Sequence, residues 1–254
     1  MAIWQRRSVS SSDVAVRLVS GDREYVREPG DTLETDLGVL EIPDDVSPPT
    51  TLETHLDHTF HVRRLRPPDW FTHFSRTGAP MIPRDIGLLI GETGVGTDDR
   101  VLDAGTGTGV LAASLAHVGA TVVTVERDQE AAETARENFE LLPADRRPTV
   151  VTADIREHIE TLEDDSFDLI SLDTAVAPTV ARAASRLLVP GGFLAAYAPF
   201  VEGTREIVTA ARESCTDVRA IETIQRELDV GERGTRPDTR PVGHTGYLVV
   251  GRRP

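Results

Sequence analysis

From residue 85 onward the apolar pattern alternates between two periods, and this constrains the fold more than any other feature of the 254-residue chain. "IGLLIGETG" has helical spacing. "RVLDAG" reads as a strand, "GVLAASLAHVG" as a helix with a glycine stop, and "TVVTVE" as a strand. "QEAAETARENFELL" is a helix and "PTVVTAD" a strand. "DLISLD", "VARAASRLL" and "GGFLAAYAP" continue as strand, helix and strand, and "EGTREIVTAARES" adds a helix. Strands joined by helical crossovers must lie parallel, because a crossover returns the chain to the same edge of the sheet. The predicted fold class is therefore α/β, with a doubly wound, Rossmann-like sheet. "VRAIETIQREL" and "TGYLVVGRR" close the chain as two strands able to pair antiparallel.

Residues 13–66 differ. "VAVRLV", "REYVRE", "LGVLEI" and "TFHVRRL" are short and partly alternating, with "SGD", "EPGD" and "PDDVSPP" between them. They predict a small N-terminal β domain. Residues 67–84 are expected to form a linker, with a short helix after Pro68 and breaks at Pro80 and Pro83. Residues 85–254 are the α/β domain. Residues 1–12 are read as a tail: basic residues without an apolar run behind them do not make a secretory signal. No apolar stretch approaches membrane-spanning length. One cysteine, Cys215, excludes an internal disulfide framework, and a cytoplasmic location is the default.

The formal net charge is −15, and the chain contains no lysine; all 27 basic residues are arginine. This composition resembles that of proteins from salt-loving archaea. Molar salt shortens electrostatic reach to about 3 Å, so acidic self-repulsion is tolerable there. Counterion release then contributes little to nucleic-acid affinity, and an acidic chain can still bind RNA through local arginines, shape and stacking. The missing lysine removes Schiff-base chemistry and the P-loop lysine.

"VLDAGTGTGVL" places glycines at 105, 107 and 109 between a strand and a helix. The dinucleotide fingerprint needs a third glycine at 110, which is valine. This G-x-G-x-G after Asp103 resembles motif I of class I S-adenosylmethionine (SAM) methyltransferases. The resemblance implies that SAM lies over Asp103, Ala104, Gly105, Thr106, Gly107, Thr108 and Gly109. A cationic sulfonium beside a carboxylate is chemically sensible. Glu126, followed by Arg127, ends the next strand about twenty positions on, where α/β folds place an acid on ribose hydroxyls. Asp154 ends the third strand. It can accept from the adenine amino group while the N–H of Ile155 meets a ring nitrogen; a helix N-cap is the alternative, and the two are compatible. All these strand ends share the C-terminal edge of the sheet, where open α/β sheets bind ligands.

"TDLGVLEI", "TGAPMIPRD", "VLDAGTGTGVL", "SLD" and "VGHTGYL" together resemble the tRNA (adenine-N1)-methyltransferases. These act on the T-loop at position 58 and in some archaea also at 57. The resemblance covers about residues 15–254. It implies a homotetramer, an N-terminal domain that helps hold tRNA, and Asp173 at the target base as well as near SAM. A carboxylate there accepts from the exocyclic amine, pushes electron density to N1 and stabilises the cation formed. The alternative for Asp173 is a turn-capping acid. Two aromatic surfaces of the family are missing: "TAVAP" replaces an acidic-Pro-Trp segment, and Ile82 stands where a tyrosine is common. Tyr197 and Phe200 are candidates to supply stacking, though core packing suits them equally. Arg63, Arg64, Arg66 and Arg84 are candidate phosphate contacts. His244 is expected at the site rim or buried and hydrogen-bonded. His55, His58 and His61 have a metal-like spacing, but strand residues i and i+3 point to opposite faces, so no metal site is expected. The competing functions are a class I methyltransferase with another substrate and a non-catalytic tRNA-binding subunit. Retention of the glycine loop and of the strand-end acids favours catalysis.

Overall fold

The computed structural model describes residues 14–239 and 243–254; the expected tail at 1–12 lies outside them. The chain begins with six strands: β1 (Val16–Ser20), β2 (Arg23–Arg27), β3 (Thr32–Thr35), β4 (Gly38–Glu41), β5 (Thr50–Glu53) and β6 (Thr59–Arg64). Four form an antiparallel sheet in the order β2-β1-β6-β5, and β3-β4 is a separate hairpin. Alternation decides which face is buried: Leu18, Phe60 and Val62 from the sheet meet Leu33 and Leu40 from the hairpin in one core.

Residues 67–84 are more structured than a simple connector. α1 (Pro67–His73) buries Trp70, and Phe74 follows it into the core that also holds Leu111 and Leu115. α2 (Pro83–Thr93) starts on a proline, whose fixed φ suits the first helical turn. Glu24 on β2 takes Arg17 and His73 together, and Arg17 on β1 also faces Asp69 of α1 at 3.5 Å, so these contacts pin α1 to the β domain.

The rest alternates as predicted. β7 (Arg100–Ala104), α3 (Val110–His117), β8 (Thr121–Glu126), α4 (Gln129–Glu140) and β9 (Thr149–Thr152) come first. α5 (Ile155–His158), β10 (Phe167–Leu172), α6 (Ala177–Leu187), β11 (Leu188–Ala198), α7 (Val201–Ala211) and β12 (Thr216–Glu222) follow. A hairpin, β13 (Leu228–Gly231) and β14 (Gly234–Pro237), precedes the last strand, β15 (Tyr247–Arg252). The sheet order is β12-β15-β11-β10-β7-β8-β9. β11, β10, β7, β8 and β9 are parallel; β15 runs antiparallel to both β11 and β12. α1 to α4 cover one face and α5 to α7 the other. The strand expected over "VRAIETIQREL" stops at Glu222. The β13–β14 hairpin was not legible, because all its residues are exposed and no buried face imposes an alternation.

From β7 the chain winds one way to β8 and β9 and later the other way to β10 and β11. The switch lies between β7 and β10, and ligand clefts open at such points. Gly105 and Asp173 are the residues that leave those two strands.

Candidate active site

The glycine loop is shaped by what presses on it. Gly105, Gly107 and Gly109 all have positive φ, at 94°, 51° and 82°. A Cβ on Gly105 would lie 2.0 Å from the carbonyl oxygen of Asp173, and one on Gly109 would strike the Phe139 ring at 2.5 Å. A Cβ on Gly107 would meet nothing within 4 Å, so the loop presents bare backbone to open space there. The Gly107 N–H donates to Glu126 at 3.2 Å, whose other oxygen accepts from the N–H of Asp128 at 3.0 Å. Asn138 on α4 fixes the loop from behind, donating to the carbonyl of Thr108 at 2.9 Å and to that of Ser75 at 3.0 Å.

Asp103 sits beneath the loop, fully buried. Its oxygens accept from Ser171 at 2.5 Å and Thr124 at 2.6 Å, and Thr124 pairs with Thr106 at 2.6 Å. Burial pushes its carboxyl up to about 6 despite those bonds, with the charges of Asp173 and Glu126 adding to the rise. Asp103 thus ties β7, β8, β10 and the loop together from inside. Its influence on a ligand is through position and field, since both its oxygens are engaged within the fold.

A shallow cleft open to solvent runs along the strand ends; Gly105, Glu126, Arg127, Asp154, Ile155 and Thr174 help line it. Asp154 caps α5 by accepting from the N–H of Arg156 at 2.9 Å, and the Arg156 guanidinium embraces the same carboxylate. Those contacts hold it down at about 2. The helix-cap alternative for Asp154 therefore holds, and the residue also faces the cleft.

Asp173 differs from the other acids. Its backbone continues the β7 ladder, its N–H donating to Ala104 at 2.9 Å. Its carboxylate is largely shielded from water, and burial pushes it up to about 6. Among the described residues no side chain hydrogen-bonds it. Glu126 and Asp173 both lie within electrostatic reach of Asp103 beneath the loop, a field suited to a cation.

A second cluster borders this one. Asp85, buried at the start of α2, accepts from Arg84 at 3.0 Å, Tyr197 at 3.0 Å and Thr245 at 2.6 Å. Arg84 also donates to Thr245 at 2.6 Å, and its Nη1 is buried without a partner among the described residues. Arg84 is thus engaged within the fold. Gly246 lies against the Tyr197 ring, 2.4 Å from ring carbon to a Cβ built there. Tyr197 is accordingly a packed residue, its hydroxyl pushed up to about 12 chiefly by burial. Phe200, three residues on, is 70% exposed. Ile82 is half-buried and caps α2 through its carbonyl. His244 stands at the rim, bonded to Glu222 at 2.8 Å and to the carbonyl of Pro199 at 3.0 Å. The side chain is hydrogen-bonded but exposed, so the expectation of a buried histidine does not hold. Arg63, Arg64 and Arg66 are exposed on and beside β6. His55 accepts from the N–H of Val39 at 2.8 Å.

Asp85, Thr245 and Asn138 were not singled out from sequence. The first two sit inside the quoted segments "MIPRD" and "GHTGYL". Asn138 was readable as a polar residue on the helical face of Ala132 and Ala135, which both lie buried.

Residues 101–192, from β7 into β11, match the model of a family described as Methyltransferase domain. A Thermus thermophilus protein, tRNA (adenine(58)-N(1))-methyltransferase TrmI, is 30% identical over 82% of this chain and 83% of its own. The chain belongs to the TrmI family of tRNA (adenine-N1)-methyltransferases. A Methanocaldococcus jannaschii TrmI, named as an adenine(57)/adenine(58) enzyme, is 29% identical over 92% of both chains. The structure of Aquifex aeolicus TrmI aligns with a TM-score of 0.74 at 21% identity, covering 95% of this chain and 97% of that one. A Thermotoga maritima SAM-dependent O-methyltransferase aligns at 0.78 with 23% identity, covering 96% and 94%. The fold is the class I methyltransferase fold, shared by enzymes named for different acceptors, so acceptor choice in the TrmI family must come from the site.

Proposed function

We propose that the chain transfers a methyl group from SAM to N1 of adenine at position 58 of tRNA, with 57 as a second acceptor. The observation that carries this reading is Asp173: a shielded carboxylate at the switch point, pressed against the glycine loop, with no hydrogen-bonding side chain among the described residues. The TrmI relatives, so named for adenine N1 at 57 and 58, support the substrate.

The residues present fit SAM. Gly107 leaves open space where any side chain would intrude, and the acids around the loop suit a sulfonium. In this reading Glu126 takes the ribose hydroxyls, and Asp154 with the N–H of Ile155 takes the adenine edge. Arg127 flanks the cleft, and Asp103 holds the loop that carries Gly105 to Gly109. SAM, when bound, supplies an electrophilic methyl group on a cationic sulfur.

Adenine N1 is a weakly basic ring nitrogen whose in-plane lone pair gains density from π donation by the exocyclic amine. Asp173 accepts a hydrogen bond from that amine, which strengthens N1 and stabilises the positive charge that methylation creates. A carboxylate raised to about 6 also accepts a proton more readily than an ordinary aspartate. Held rigidly between the β7 and β10 ends, it fixes N1 in line with the methyl group, and alignment supplies much of the remaining acceleration. The adenine must be splayed out of the folded T-loop to reach it.

Arg63, Arg64 and Arg66, on the β domain near α1, are proposed phosphate contacts. A homotetramer is proposed on the family likeness; exposed Ile224, Leu228 and Val230 offer apolar surface for contact between copies. No described helix is long and apolar enough to cross a membrane; a cytoplasmic location is proposed from the tRNA substrate. The test is Asp173→Ala: calorimetry finds SAM binding retained, while a primer-extension stop at the T-loop adenine is lost. Methylation near the wild-type rate would overturn the assignment.

A further inference from the structure

We propose that Phe200 is the stacking platform for an RNA base at the methyl-acceptor site, with His244 as the positioning residue that holds it there. The inference rests on the tRNA reading above.

β11 runs beside β10 with Ala196 level with Leu172, so Tyr197 stands next to Asp173. Of the two aromatic residues at this strand end, Tyr197 is committed to the fold: its hydroxyl binds Asp85 and Gly246 blocks its ring. Phe200 is not. It is the N-cap of α7, its carbonyl accepting from Thr204, and it is 70% exposed two residues past the end of β11, the strand beside the one that leads into Asp173. A phenyl ring in water is unfavourable, and a purine face laid over it removes that surface. This supplies the aromatic surface that "TAVAP" and Ile82 leave missing.

The backbone before Phe200 is not left to fluctuate. The Pro199 carbonyl is held by His244 Nε2 at 3.0 Å, and Glu222 by His244 Nδ1 at 2.8 Å. A carbonyl and a carboxylate only accept, so both ring nitrogens must donate and the ring must be an imidazolium. One cation thus joins the end of β11, the end of β12 and the turn into β15. Among the described residues the charged or titratable groups around it are Glu222 on β12, Arg84 on α2 and Tyr247 on β15, whose ring lies 4.9 Å away. The Pro199 carbonyl first, and then Glu222, hold its pKa above the usual value of 6.5, with Arg84 opposing. As pH rises through that raised value one donor is lost and the clamp opens.

The experiment measures steady-state methylation of a tRNA transcript by wild type, Phe200→Ala, Phe200→Trp and His244→Ala. SAM calorimetry and light scattering are run on each. Phe200→Ala is expected to raise the KM for tRNA about tenfold, the effect of losing one base–aromatic stack, with SAM affinity and oligomeric state unchanged. Phe200→Trp restores it. His244→Ala raises the same KM, and the wild-type rise of KM as pH passes the raised His244 value flattens in that variant. An unaltered KM in Phe200→Ala overturns the inference. So does a change of oligomeric state in that variant, which would assign Phe200 to contact between copies. A wild-type protein inactive on tRNA overturns the functional reading itself.

Discussion

Asp173→Asn is expected to make the protein more stable while stopping its chemistry. The substitution keeps shape and removes charge. In the folded chain burial raises the carboxyl from 3.8 to about 6. No hydrogen-bonding side chain among the described residues offsets that penalty. Below pH 3.8 the group is neutral folded and unfolded, and asparagine gains nothing. Between 3.8 and about 6 the unfolded chain ionises first, so the native aspartate becomes a growing liability. Above about 6 the liability is complete. A shift of about two units corresponds to up to about 3 kcal/mol, since each unit is worth about 1.36 kcal/mol. The gain should be full at pH 8 and about half of that at pH 5. Urea unfolding of both proteins at the two pH values, in the same salt, measures it. Equal midpoints at pH 8, or a difference that does not change with pH, would refute the reasoning. Parallel assays should find methyl transfer lost in the more stable variant. Stability gained as activity is lost is expected where a fold tolerates an unfavourable group for function.

Two further substitutions probe the surroundings. Glu126→Ala removes the acceptor facing the bare backbone of Gly107, and calorimetry should find SAM affinity lowered about tenfold or more, the scale of a charged hydrogen bond; unchanged affinity would remove Glu126 from the ribose site. Asp85→Ala leaves the Arg84 guanidinium buried without its counter-charge, and should cost about 3–5 kcal/mol in denaturant unfolding. Adding Arg84→Ala should return part of that loss, and a purely additive double variant would show that the pair is not coupled.

Much of this protein was determined by sequence alone. The change of period at residue 85 dictates a parallel sheet, because apolar spacing sets which face of each element must be buried. The glycines at 105, 107 and 109 dictate a tight strand-to-helix turn, since positive φ is cheap only for glycine. Strand ends fall where apolar runs stop, so Glu126, Asp154 and Asp173 were readable as neighbours on one edge. What each acid does there was decided by tertiary contacts. Asp103 is enclosed by Ser171 and Thr124, 68 and 21 residues away, and is spent within the fold. Asp154 is taken by Arg156, and Asp173 has no side-chain partner among the described residues. Tyr197 and Phe200 look alike in "AAYAPF". The distant Asp85 and Gly246 lock the first, while nothing packs enough on the second to keep it from water. Local spacing records which side of an element faces inward. Which polar groups find partners depends on long-range contacts that exist only once the sheet is assembled.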